Sequence, residues 1–313
     1  MPADYFSNMK AILTGLKTSV LNYRQTLEGG KLQDIKTFKV GVLSPMTVFP
    51  ALAILPESEE LLRWYSGNQA VVQRSFSVEV FEKSIDIAKA QERAVELIEL
   101  VAELYQQDFT LKNQDSQTLQ VFDLNISSIS FNVVEGIQET IGAAKMSVTV
   151  KGRESLNLET ERAGVLVNDP TTVSIRNAIL DRLTLARTDG LQNVADIVNG
   201  ASSDSIIKGF PSILVSPTSQ TIIRKEAGRD RNTHSFIVDV VERMVPHDKV
   251  LLNLIDTVEA VKKLFHRYAT WENRCITSNT KSVQYDLAEA ENGYLYLARL
   301  NYQTESIRNT VFV

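Results

Sequence analysis

The sequence predicts an α+β protein made of two tandem copies of one helix–hairpin–long helix–strand(s) domain, each with a small, mostly antiparallel sheet. Three observations predict it. A Phe-Pro segment with the same apolar pattern occurs twice, half a chain apart. A second strand-like segment follows it in both places. A long stripe of period three to four follows that. The length of 313 residues also suits two domains better than one, since a typical domain holds about 100–150.

Taken in order, Ile12, Leu16, Val20 and Tyr23 form a helical stripe in the first copy. Residues 49–63, FPALAILPESEELLR, read as a strand. About ten polar residues containing Gly67 then lead to a second strand, SFSVEVFEK at 75–83, which makes the pair a β-hairpin. Ile87, Ala90, Ala94, Leu97, Val101 and Leu104 mark the long helix. Met146, Val148 and Val150 alternate with Lys145, Ser147, Thr149 and Lys151, the pattern of a half-buried strand.

The second copy repeats this order. Ile175, Ile179, Leu183 and Ala186 give the helix, and FPSILVSPTSQTIIR at 210–224 the first strand. SFIVDVVER at 235–243 gives the second strand, and Leu251, Leu254, Val258, Val261, Leu264 and Tyr268 the long helix. YLYLARLNYQ at 294–303 reads as a closing strand. Five of fifteen residues are identical between the first pair of segments, at an offset of 161, and five of nine between the second, at 160. The change of offset predicts one residue lost from the second hairpin's turn. The expected domains are residues 1–155 and 173–313, joined by a linker at 156–172 that contains Pro170 and a short apolar strand from Ala163 to Val167. The copies differ most at 24–48 and 187–209 and at 107–143 and 268–292, which are expected to be loops. The expected core is Phe49, Leu52, Ile54, Phe76, Val78 and Val80 in copy one. In copy two it is Phe210, Ile213, Val215, Phe236, Val238 and Val240.

Composition excludes several classes. Hydrophobic residues make up 43% and charged residues 23%, as in folded globular protein. No run approaches the roughly 20 apolar residues of a membrane span. The segment MPADYFSN has neither the basic nor the apolar region of a secretory leader, so none is expected. The single cysteine, Cys275, cannot form an internal disulfide. A net charge of −5 argues against wrapping nucleic acid by bulk charge.

No catalytic motif is present. There is no phosphate loop, dinucleotide fingerprint, nucleophile elbow or zinc signature, and the three histidines, His234, His247 and His266, are scattered. Cys275 and His266 could form a nucleophile pair only across a helix end, and a small apolar Cys with a solvated helix-end His is the simpler reading. Glu96, Glu99 and Glu103 share one helix face, which reads as solvated. No enzyme, cofactor or metal is expected. The candidate contact residues lie at the hairpin ends. Trp64 and Tyr65 stand at the first, and Arg224, Lys225, Arg229 and Arg231 at the second. Aromatics and arginines at such positions are frequent protein-contact anchors.

The ordered pattern found twice is a helix, a Phe-Pro-x-x-x-[Val/Ile] strand with a second Pro, a hairpin to Phe-x-Val-[Asp/Glu]-Val, a long helix and closing strands. It resembles the tail terminator or tail completion proteins of tailed bacteriophages. That resemblance, carried by Phe49–Glu82 and Phe210–Glu242, implies a structural virion protein. It would form a ring that caps the tail tube and joins it to the head-side neck. Family members have one such unit per chain, whereas this chain has two. The implied partners are further copies of the chain, the tail tube protein, the head-side connector and, in a contractile tail, the sheath protein. DNA would only pass through the lumen, and no membrane is involved. The virion neck, assembled in the host cytoplasm, is the implied location. A hexamer is expected because the two hairpin ends differ in kind, and a trimer with pseudo-sixfold symmetry is the alternative. Rival readings are another neck ring (a sheath terminator or head–tail joining protein) and a cytosolic duplicated α+β ligand-binding protein.

Overall fold

The computed structural model describes residues 9–25, 27–41, 48–65, 69–108, 111, 121–135, 140–155, 170–200, 207–225, 229–243, 250–290 and 293–309. The chain divides into two compact units, Met1–Ser155 and Leu156–Val313. The first contains α1 (Met9–Arg24), a 3-10 segment (Leu27–Asp34), β1 (Thr37–Val40), β2 (Ala51–Tyr65), β3 (Gln69–Ser84), α2 (Ile87–Gln107), β4 (Val121–Glu135) and β5 (Thr140–Ser155). The second contains α3 (Thr172–Ala186), β6 (Asp196–Asn199), β7 (Ser212–Lys225), β8 (Arg229–Arg243), α4 (Val250–Arg267), β9 (Thr277–Ala290) and β10 (Gly293–Asn309).

The expected fold class is corrected here. The sheets are large rather than small, and they dominate the architecture. Eight of the ten described strands run 14 to 17 residues, against a usual strand of about 5–6. The sheets are also mixed. In unit one the order is β4-β5-β3-β2, with β1 added to β2 in parallel. In unit two it is β9-β10-β8-β7-β6, with β6 parallel to β7. The supposed loops therefore hold strands: β1 and β6 in the earlier pair of segments, β4 and β9 in the later. The expected linker strand at 163–167 lies outside the described residues.

The two units agree in detail at the start of each hairpin. Phe49–Pro50 and Phe210–Pro211 are both cis peptides. The Pro50 carbonyl accepts the Lys36 amide at 2.8 Å, and the Pro211 carbonyl accepts the Ala195 amide at 2.8 Å. Each parallel pair ends on a glycine in the left-handed region, Gly41 at φ 106° and Gly200 at φ 114°. These glycines donate to the carbonyls of Ile54 and Val215. A residue with a Cβ would strain the backbone at both points. A bulge follows each second proline, between Pro56 and Ser58 and between Pro217 and Ser219. β2 has a further bulge between Leu61 and Arg63, which β7 lacks. The residue lost from copy two therefore came out of the strand, because three residues (66–68 and 226–228) join the strands in both hairpins.

Helix boundaries follow local chemistry. Asp86 caps α2, its carboxylate accepting the Ala88 and Lys89 amides. Thr171 and Ser174 form a reciprocal cap at α3, satisfying amides that the first turn leaves unpaired. In unit one, α2 packs on β3, β4 and β5, and α1 on β2. In unit two, α4 packs on β8, β9 and β10, and α3 on β7. The sheet's inner face carries Phe76, Val78 and Val80 in one unit and Phe236, Val238 and Val240 in the other, all buried. Leu52, Ile54, Ile213 and Val215 are buried as well. Phe49 and Phe210 are only half-buried, because the strands begin at Ala51 and Ser212 and each Phe precedes its bend. In unit two the core closes on Trp271. Its indole Nε1 donates to the Tyr302 hydroxyl at 2.6 Å, and the Phe265 ring packs edge-on at 5.3 Å. Trp271, Glu272 and Asn273 all sit in the left-handed region, at φ 45°, 57° and 66°. Each such residue costs about 1–2 kcal/mol, offset here by full burial of the indole.

Candidate assembly surface

The hairpin ends carry the residues singled out by the sequence. Trp64 and Tyr65 are the last residues of β2 and pair with Ala70 and Gln69. Arg224 and Lys225 are the last of β7 and pair with Asp230 and Arg229. The two sets therefore take matching places at the ends of their hairpins. The side chains of Trp64, Tyr65, Arg224, Lys225 and Arg229 lie outside the described residues. Arg231 is described, and its guanidinium forms an ion pair with Glu305 of β10. Part of the basic cluster is thus neutralised within the chain.

Strand edges form the second component. β4 lies at the end of the unit-one order and pairs only with β5 among the described residues. In unit two, β6 covers β7 only from Ser212 to Val215, so the rest of β7 has β8 alone as its partner. Unpaired backbone amides and carbonyls along such edges are templates for another strand. Sequence reasoning missed the β4 edge because β4 itself was not predicted.

Beneath the hairpins lies a buried polar centre, which the sequence did not reveal either. In unit one Arg74 is fully buried. Its Nε donates to Glu59 at 2.7 Å and its Nη2 to Glu154 at 3.0 Å. These carboxylates come from β2 and β5, so one guanidinium ties three strands together. In unit two the matching place on β8 is His234. Its Nδ1 lies 2.8 Å from the Thr172 hydroxyl and its Nε2 2.9 Å from the Ser306 hydroxyl. Thr172 also donates to Gln220 at 3.2 Å. Gln220 stands where Glu59 stands in unit one. Burial pushes the His234 pKa below its ordinary value, keeping the ring neutral. The signal for these sites was a charged or polar residue at an inward position of an otherwise apolar alternation.

Cys275 is buried, and burial pushes its thiol up to about 12, so it stays protonated near neutral pH. Glu99 and Glu103 are exposed, and Glu96 is bound by Arg93 at 3.0 Å. Among the described residues no group of His, Cys, Asp or Glu is placed to hold a metal ion. His247 lies outside them. No described helix is long and apolar enough to cross a membrane. No protein-family model matches the chain, and no curated protein is similar to it.

Proposed function

We propose that the chain is a structural virion protein. In this reading it forms a ring that caps the end of a phage tail tube and joins it to the head-side neck. One observation carries the reading. A single unit, with one strand order and matched prolines, glycines and bulges, is present twice in the chain, and among the described residues its outer strand β4 pairs only with β5. Repetition of one unit supplies quasi-equivalent contacts, and open edges let those contacts run from chain to chain.

The two hairpin ends then do different work. An aromatic end, Trp64-Tyr65, fits an apolar protein surface. A basic end, Arg224-Lys225, fits an acidic one. A tube end offers one kind of neighbour and the neck another, so unlike ends suit a joining piece. The net charge of −5 leaves DNA free to slide through the lumen, because tight binding requires many neutralised phosphates.

Electron microscopy of the purified protein, alone and mixed with growing tail tubes, tests this. A ring with a central hole that binds one tube end and stops elongation is expected. Compact single particles that leave tube length unchanged would overturn it.

A further inference from the structure

We propose that two copies of this chain pair through β7. The run Ser219–Lys225 lies antiparallel against the same run of a second copy, with Ile222 opposite Ile222. This goes beyond the ring reading and does not rest on it, because a two-fold contact uses one surface twice and closes on itself.

The run is straight, open and exposed. β7 is bulged between Pro217 and Ser219, and from Ser219 to Lys225 its pairing with β8 is unbroken. β6 covers β7 only from Ser212 to Val215, so β8 is the run's one sheet neighbour among the described residues. Ser219, Gln220 and Thr221 are exposed, and Ile222 and Ile223 are 55% and 51% exposed. The matching stretch of β2 is different, because a second bulge between Leu61 and Arg63 interrupts it. A bulge bends a strand and protects its edge from pairing. Copy two lacks that extra residue, so its edge is straight and carries two exposed isoleucines.

The backbone makes this run its own complement. Val215 turns its carbonyl away from β8, to the Gly200 amide. Alternation gives Pro217 the same direction, where its missing N–H costs no bond to β8. The bulge then advances the alternation by one residue, so Gln220, Ile222 and Arg224 turn their amides and carbonyls to the open side. Those three positions are symmetric about Ile222. An antiparallel pair centred there sets 220 against 224 and 222 against 222, and each outward amide meets an outward carbonyl. The bulge bounds the run on one side and the hairpin end on the other. Centring on Ile222 is therefore the one antiparallel register of two such runs that uses all seven residues.

The side chains agree with that register. Ile222 meets Ile222 on one face, and Thr221 meets Ile223 on the other, so both exposed isoleucines gain a cross-strand neighbour. SPTSQTII at 216–223 contains no charge. Arg224 and Lys225 take register positions opposite Gln220 and Ser219, so no cation is set against another.

A cysteine at position 222 tests the contact. Paired residues of this kind have Cα atoms about 5.5 Å apart, inside the disulfide range of about 4.4–6.8 Å. Two residues at position 223 would be diagonal neighbours at about 7–8 Å, outside it. Diamide, which oxidises two thiols to a disulfide, should link Ile222→Cys into a species of twice the chain mass. Ile223→Cys and the unaltered protein, whose one thiol is buried, should stay single. Ile222→Lys sets two ammonium groups against each other and should weaken pairing at least tenfold in sedimentation, with unchanged thermal unfolding. An Ile222→Cys protein that stays single, or an Ile223→Cys protein that links equally well, would overturn the contact. So would an Ile222→Lys protein that folds and associates like the parent. Rings seen by microscopy without the 222 cross-link would sink the strand pair alone, and the cross-link without rings would sink the ring reading alone.

Discussion

Arg74 and His234 occupy the same place in the two units, each at an inward position of the hairpin's second strand, one residue before the matching Ser-Phe pair. Arg74 is held by two carboxylates, and His234 by hydroxyl groups. One centre is ionic and the other neutral, so the two units should respond differently to mutation and to pH.

Replacing Arg74 with Leu would leave Glu59 and Glu154 buried without their cation. Breaking a buried pair by removing one partner costs about 3–5 kcal/mol. Urea unfolding of Arg74→Leu should show that loss in a transition assigned to unit one. The triple variant Arg74→Leu/Glu59→Leu/Glu154→Leu should recover much of it, because no buried charge remains. A single variant as stable as the parent would show that the carboxylates are solvated.

His234 predicts a pH dependence. Its folded-state pKa lies below the ordinary value of 6.5, so the unfolded chain binds the proton more readily. Its contribution is complete above about 6.5 and is lost as pH falls through that value toward the lowered one. Glu82 and Glu242 act in the opposite sense, because burial raises both carboxyls. Their contribution fades as pH rises from about 4.5. The difference in unfolding free energy between the parent and His234→Gln cancels the glutamates. That difference should shrink between pH 7 and pH 5. A constant difference would contradict a neutral buried ring.

Gly142 predicts a steric cost. A Cβ there would meet the Ala90 carbonyl oxygen at 2.4 Å, since β5 passes directly under the first turn of α2. The next nearest atoms, the Ala90 carbonyl carbon and the Gln91 nitrogen, are also backbone and cannot rotate away. Gly142→Ala should therefore destabilise unit one by about 1–3 kcal/mol, the usual cost of overpacking. Thermal melting measures it, and an unchanged midpoint would mean that α2 shifts freely.

Cys275 should resist alkylation. The thiol is buried, and its pKa is raised to about 12. Iodoacetamide at pH 8 should leave the folded protein unmodified and label it fully in denaturant. Fast labelling of the folded protein would reveal an open path to the sulfur.

The hairpins, the two long helices and the alternating core of β3 and β8 were legible in the sequence, because each pairs one clear period with one buried face. β4 was not legible. Two bulges reset its alternation, and as an outer strand it leaves Phe122 and Phe131 exposed. β9 was hidden by polar residues on its inner face, where Ser278 and Thr280 are buried. β1 and β6 are four residues each, too short for any period. The partners of Arg74 were not legible, since nothing local shows that Glu59 and Glu154, 15 and 80 positions away, converge on it. The hairpin-end residues lie at the ends of β2 and β7 and the start of β8, and only their position near the hairpin ends was legible.

The unlike buried centres also bear on how the copies could have diverged. An ionic triad cannot be exchanged one residue at a time. A histidine in place of Arg74 would leave two carboxylates stranded, and an arginine in place of His234 would find none. Single substitutions carried from one unit to the other should therefore be harmful even where both parents tolerate the residue. Only whole hairpins, moved with the residues that hold Arg74 or His234, should be interchangeable.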